Sequence, residues 1–366
     1  MKITHIEPIL IELPYDHGAP KPLLRSGSPR KMMDAVYLRV DTDVGISGWG
    51  EAFGFGACRI AHAAAGMVVA PLAVGQQADD IPTLMDDLHR KLQSMALNGP
   101  VRFALSALDI ALWDIAGKVA KQPIHRLLNP NSHKKHLPVY ASLMRMQDIA
   151  NVVKVSAQAV GRGYRHIKLH ERSLECVSGA RQAIGADVAL MLDTNCAWSV
   201  DQAIGQAQSM ADQDLFWIEE PISPPDDYAG LARVQEEGRI PVAAGENLGT
   251  FHDFCRMAGQ PSIDYLQPDV TKFGGITEMW KAVTYAAAHN CRLEPHSPLY
   301  GPGLIATQHI VAAMEADAMV EFYYCELGAS PMGEGIYTSD GFMTAPDGPG
   351  LGVEVDVEII EKYRTA

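Results

Sequence analysis

Five short apolar runs end, one after another, on an ionisable residue: LMLD (190–193), FWIE (216–219), VAAGE (242–246), YLQPD (265–269) and RLEPH (292–296). Each run has strand length and is followed by a stretch with helical spacing. The terminal residues Asp193, Glu219, Glu246, Asp269 and His296 are separated by steps of 26, 27, 23 and 27 residues. Such a step fits a repeating strand–helix unit. LPVYASL (137–143), a helical stretch at 148–162 and HIKLH (166–170) precede the five runs, and MVEFYY (319–324) follows them. Eight strands with helical connectors predict a parallel α/β barrel, whose C-terminal strand ends surround one mouth where active sites lie.

The first third has another texture. Residues 1–13 and 36–51 read as strands, the second alternating through Val36, Leu38 and Val40, turning at 41–45 and resuming to Trp49. Between them, 17–31 is rich in Pro, Gly and basic residues (Lys21, Arg25, Arg30) and reads as a mobile loop. From 61 to about 120 the pattern is helical. Its clearest helix starts at Asn98-Gly99-Pro100 and puts Val101, Leu105, Leu108, Leu112 and Ile115 on one face. The 366 residues exceed a bare barrel of about 250, leaving room for this second unit. The expected division is an α+β unit over 1–130, a barrel over 131–330, and a Gly/Pro-rich segment over 331–366 that returns to the first unit.

Charge narrows the partners. A formal net charge of −14, with no Lys/Arg stripe, disfavours nucleic acid. No apolar run is long enough to cross a bilayer, and His5, Glu7, Pro8 and Glu12 interrupt the first strand where a signal peptide would need an apolar core. A cytoplasmic location is the expectation. The six cysteines lack CxxC pairing and read as reduced, mostly buried thiols. Cys196 lies near Asp193, but the sequence offers it no base, and no catalytic role is expected.

Asp193, Glu219 and Glu246 read as ligands of one Mg²⁺, since a hard cation takes oxygen donors and three carboxylates leave positions for a chelating substrate. Glu220 should point the other way, because strand side chains alternate. Asp269 beside His296 would fix the imidazole tautomer and raise its basicity, making an acid–base dyad. Lys168 and His170 share one strand face, with His166 deeper on it. A lysine there serves as a base or neutralises a substrate carboxylate. The GPG at 301–303 and GG at 274–275 fit an anion cradle or simple turns, and Trp198 and Tyr300 fit a pocket wall or packing.

The motifs IKLH, LDTN, WIEEP, AGEN, QPDVTKFGG and EPHSP, in this order and spacing, resemble the enolase superfamily and within it the mandelate racemase subgroup. The resemblance spans the chain and implies an N-terminal α+β capping domain, a (β/α)₇β modified barrel and one Mg²⁺ per subunit. It implies Asp193, Glu219 and Glu246 as ligands, Asp269–His296 as the dyad, and Glu321 as a hydrogen-bond partner of the substrate carboxylate. Loops at 17–31 and around 52–58 would close over the substrate. Lys21 and Arg25 there, and Asn195 beside Asp193, are candidate substrate contacts. The family commonly shows Lys-x-Lys on the second strand, where this chain has Lys168-Leu169-His170, which leaves the base on that face open between Lys168 and His170.

The implied chemistry is removal of the proton α to a carboxylate, giving an enediolate. The basic loop suits a hydroxylated anion, so the expected reaction is dehydration of a sugar acid to a 2-keto-3-deoxy acid. Racemisation, epimerisation or cycloisomerisation of a carboxylate is the alternative, and non-catalytic binding of a metal–carboxylate ligand a remote one. The resemblance also implies a homo-oligomer, dimer to octamer, with a small-molecule carboxylate as partner.

Overall fold

The computed structural model describes residues 1–23, 28–260 and 263–365. Three antiparallel strands open the chain: β1 (Ile3–Asp16), β2 (Met32–Thr42) and β3 (Ser47–Ala52). The long helix Pro100–Ala120 lies across them. It starts with Pro at its first turn and stops at Lys121 in the left-handed conformation. Leu105, Leu108, Leu112 and Ile115 are fully buried, as their spacing predicts. Gly48 and Gly50 bring sheet and helix into contact: a Cβ on Gly50 would stand 1.8 Å from the Ala107 carbonyl. The helix's second face, with Arg102, Ser106 and Asp109, is buried as well. The neighbouring barrel makes this polar face an interior.

The barrel strands are β4 (His136–Ser142), β5 (His166–Leu169), β6 (Ala189–Asp193), β7 (Leu215–Glu219), β8 (Val242–Ala244), β9 (Tyr265–Leu266) and β10 (Val320–Tyr323). They pair in parallel in the order β10-β4-β5-β6-β7-β8-β9. The expected seventh strand, 292–296, is reduced to two bridges, Leu266–Leu293 and Asp269–His296. Pro268 and Pro295 lack the N–H that a continuous ladder needs. At the seam to β10, side chains close the ring: Met319 N–H donates to Glu294 at 2.8 Å and Ser297 N–H to Glu321 at 2.8 Å.

Alternation sets the interior. Tyr140, Met191, Trp217, Ala243 and Tyr265 point inward and form the apolar floor of the barrel. Ile167, Leu169, Leu190, Leu192 and Ile218 point outward into the larger core under the helices. Two steps beyond Met191 and Trp217 the inward positions become Asp193 and Glu219. The polar mouth therefore stands directly on an apolar floor. Among the described residues no helix is long and apolar enough to cross a membrane.

The segment after 325 touches both units. β11 (Glu326–Leu327) pairs with the end of β1, and β12 (Phe342–Thr344) pairs antiparallel with β4. The helix Val357–Tyr363 leads to Arg364, which bridges Ile11 and ion-pairs with Glu7 at 2.6 Å.

Candidate active site

Asp193 and Glu219 end neighbouring strands and are register partners. Glu246 follows β8 by two residues. One carboxylate oxygen from each of the three lies within 4.8 Å of the others. Three hard anionic donors so spaced and largely removed from water fit a small divalent cation. The backbone just past two of these strand ends is left-handed, at Asn195 (φ 49°), Cys196 (φ 54°) and Glu220 (φ 43°). Conformations of this kind cluster at functional sites.

Each carboxylate of the trio meets a basic side chain within about 3 Å. His170 Nε2 stands 3.1 Å from Asp193, Lys168 Nζ 2.8 Å from Glu219, and His296 Nε2 2.9 Å from Glu246. Glu219 also accepts from Trp217 Nε1 at 3.0 Å and Gln267 Nε2 at 2.9 Å. Lys168, fully buried, meets Glu321 at 2.8 Å as well. Burial opposes its charge, but Glu219 and Glu321 outweigh that and hold the ammonium well above the usual lysine range.

The expected dyad forms: His296 Nδ1 lies 2.6 Å from Asp269 Oδ2. The other Asp269 oxygen accepts from the N–H and hydroxyl of Thr271, at 2.7 and 2.6 Å. A carboxylate on each ring nitrogen favours the protonated form of His296. Burial works against that charge, and Glu246 and Glu321 hold its proton well above the ordinary histidine range. His170 Nδ1 lies 2.6 Å from the Leu143 carbonyl, an acceptor, so this nitrogen carries hydrogen and Nε2 is left to face Asp193. Burial would lower the His170 pKa, yet Asp193 raises it. Burial would push the Glu321 carboxyl up, while Lys168 and His296 pull it well below the usual range. Glu321 is thus an acceptor here, and a bond to a substrate carboxylate requires a shared proton.

The expected substrate contacts fare differently. Asn195 is spent on Asp193, donating its amide to both oxygens at 3.0 and 2.9 Å and its backbone N–H at 2.7 Å. The short Asn reaches back two residues to the strand end, and spacing alone could not show that turn. Lys21 folds onto Tyr15, 3.6 Å over its ring, and donates to its carbonyl. Arg25 lies outside the described residues. The loop's third cation, Arg30, is buried over the Phe55 ring at 3.8 Å and ion-paired with Asp34 at 2.8 Å.

Several neighbours escaped sequence reasoning. Phe53 packs 6.5 Å from the His296 ring, and Phe55 meets Tyr323, which meets His170. Lys272 lies over Phe53 and 4.0 Å from Glu246. Its signal was its place inside the QPDVTKFGG motif, three residues after Asp269. Glu220 is turned from the trio as alternation requires, accepting from Gly245 N–H at 3.0 Å. Burial drives the Cys196 thiol pKa up, in keeping with an inert thiol. Tyr300 bonds the Tyr323 carbonyl and Cys325 Sγ and also lines a cavity with Arg30, Phe53 and Phe55.

Known proteins resemble this chain in sequence and fold. The family model of the mandelate racemase/muconate lactonizing enzyme N-terminal domain matches residues 15–129, and that of the enolase C-terminal domain-like family matches 151–359. The 3,6-anhydro-alpha-L-galactonate cycloisomerase of Streptomyces coelicolor is 33% identical over 78% of both chains. The arabinonate dehydratase of Saccharolobus solfataricus is 28% identical over 91% of both. A mandelate racemase/muconate lactonizing protein from Paracoccus denitrificans, crystallised with magnesium, superposes with a TM-score of 0.87 at 26% identity, covering 100% of this chain and 98% of that one. The chain belongs to the mandelate racemase/muconate lactonizing enzyme family of the enolase superfamily.

Proposed function

We propose that the protein is a Mg²⁺-dependent sugar-acid dehydratase that enolises its substrate and expels the β-hydroxyl to give a 2-keto-3-deoxy acid. The observation that carries this reading is the line Glu246–His296–Asp269, at 2.9 and 2.6 Å. It holds a protonated imidazole with Nε2 at the mouth, where a departing hydroxyl needs a proton.

Asp193, Glu219 and Glu246 would hold the Mg²⁺, which when bound supplies a Lewis acid to the substrate carboxylate and lowers the proton affinity of the bases around it. Lys168 neutralises that carboxylate, and Glu321 binds it through a shared proton. His170 is the α-base: its Nδ1–H is fixed on the Leu143 carbonyl, so Nε2 alone can take the proton. His296 delivers its Nε2 proton to the β-hydroxyl as the C–O bond breaks. One proton is gained by His170 and one lost by His296, water leaves, and the enol tautomerises to the keto acid. A positioned acid or base supplies about 10²–10⁴-fold, or about 3–5 kcal/mol, so most of a typical enzymatic reduction of about 8–23 kcal/mol must come from electrostatic stabilisation of the enediolate.

The S. coelicolor relative supports a second reading, cycloisomerisation. The steps are the same when the oxygen expelled at the β-carbon belongs to an ether ring, but the product keeps the substrate's mass. Sugar acids and their anhydro and lactone forms, incubated with the holoenzyme in D₂O, test both. Keto-acid formation with loss of water supports dehydration, and keto-acid formation at constant mass supports cycloisomerisation. Neither product, nor deuterium at the α-carbon, from any acid would overturn the proposal.

A further inference from the structure

The helices of the barrel do not start alike. The five that follow β4 to β8 each begin with a capping side chain of their own: Asp148, Ser173, Ser199, Asp227 and Thr250 accept from backbone N–H groups of their first turns. The two that follow the dyad residues do not. Helix Gly275–Ala288, after Asp269, begins at Gly274, and helix Pro302–Ala313, after His296, begins at Gly301, neither with a side-chain cap.

Both receive a carboxyl from the capping domain instead. Asp109, on helix Pro100–Ala120, accepts from Thr277 N–H at 3.0 Å. The same helix supplies Arg102, donating to the Phe273 carbonyl at 2.6 Å, and Ser106, accepting from Gly274 N–H at 2.8 Å. Glu51, at the end of the chain's third strand, accepts from Gly303 N–H at 2.9 Å. The fit leaves no slack: a Cβ on Gly301 would stand 2.6 Å from Glu51 Oε2 and 2.4 Å from the Tyr37 ring. The GPG motif does cradle an acid, and the acid comes from the same chain, 252 residues earlier.

We propose that Glu51 and Asp109 are positioning residues, through which the capping domain aligns the Asp269–His296 pair by capping the two helices that follow it. Asp269 is joined to its helix by the five residues 270–274, which Arg102 and Ser106 grip. His296 is joined to its helix by 297–301, which includes Ser297, the donor to Glu321. Ordinary N-cap residues would have held these turns within the barrel alone. Caps supplied from outside make the alignment of His296 depend on how the capping domain is seated. The metal-binding trio stands on strands whose helices are self-capped, and it meets this link only where Glu246 touches His296.

The inference rests on the dyad's role proposed above, and the test separates the two. Full-length holoenzyme is compared as wild type, H296N, E51Q, E51D, D109N and D109A, on the sugar acid the wild type turns over fastest. E51Q keeps an acceptor of the right length, whereas E51D keeps the carboxyl but withdraws it by about 1.5 Å, one C–C bond. E51D and D109A should lose about 10–100-fold in kcat, as small misplacements of reacting groups do, with KM and Mg²⁺ affinity near wild type. E51Q and D109N should stay near wild type. Hydrogen exchange at 270–277 and 297–304 should accelerate in E51D and D109A, a readout that needs no turnover. A turnover-competent H296N, or a wild type that turns over no sugar acid, would sink the proposed function. A dead H296N beside a fully active E51D and D109A with unchanged exchange would sink this inference, as would kcat and Mg²⁺ affinity falling together.

Discussion

Nζ of Lys168 lies 2.8 Å from Oε1 of Glu219, and neither side chain is open to solvent. The same ammonium serves Glu321. K168M would leave Glu219 without its ion-pair partner and Glu321 with His296 alone, and breaking a buried pair in this way costs about 3–5 kcal/mol. Urea unfolding of metal-free K168M should show a loss of that size, and the Mg²⁺-loaded variant should show no detectable sugar-acid turnover. A midpoint equal to that of the wild type would contradict the pairing.

The two histidines should separate in D₂O. H296N is expected to keep α-hydrogen exchange and lose elimination, and H170N to lose exchange itself, each by about 10²–10⁴-fold. NMR of the α-position with parallel keto-acid detection reads both. Wild-type exchange in H170N would move the α-base to Lys168.

Chelation should abolish turnover, and Mg²⁺ should restore it. At 100 times its Kd the ion should raise stability by about 2.7 kcal/mol, because it binds only where the three carboxylates are assembled. Thermal unfolding with and without Mg²⁺ measures this. In E246Q the shift should shrink strongly, and an unchanged shift would place the ion elsewhere.

Glu294, at the barrel seam, predicts a pH dependence of stability. Burial pushes its carboxyl up to about 7 from an ordinary 4.5, while it still accepts from Met319 N–H. The folded chain therefore holds this proton more tightly than the unfolded one. The contribution is complete below about pH 4.5 and is lost as pH rises through about 7. E294Q keeps an acceptor without the charge, so its melting temperature should fall less between pH 4.5 and 8 than that of the wild type. Parallel curves would show that Glu294 does not titrate in this window.

Much of the site was legible in the chain because a parallel barrel converts spacing into geometry. An inward residue at each strand end, repeated every 23 to 27 positions, must arrive at one mouth, and Asp193, Glu219, Glu246, Asp269 and His296 did. Period-two alternation likewise put Lys168 inside and turned Glu220 away. What stayed hidden depends on where a loop folds back or what covers a face. Asn195 turns onto Asp193 and Lys21 onto Tyr15, directions that backbone torsions set and composition does not encode. Strand 292–296 was read as regular although Pro295 interrupts it. Asp109 and Glu51 lie 168 and 252 residues from the amides they cap, and no local pattern reports a contact across that separation.

Glu51 and Asp109 sit on a strand and a helix, outside the loops at 17–31 and around 52–58 that the family resemblance assigns to closure over the substrate. Grafting those two segments from a relative with different tastes would therefore leave both anchors in place. On that reading, substrate range and catalytic registration lie on separate parts of one module, and selection could retune the first without disturbing the second.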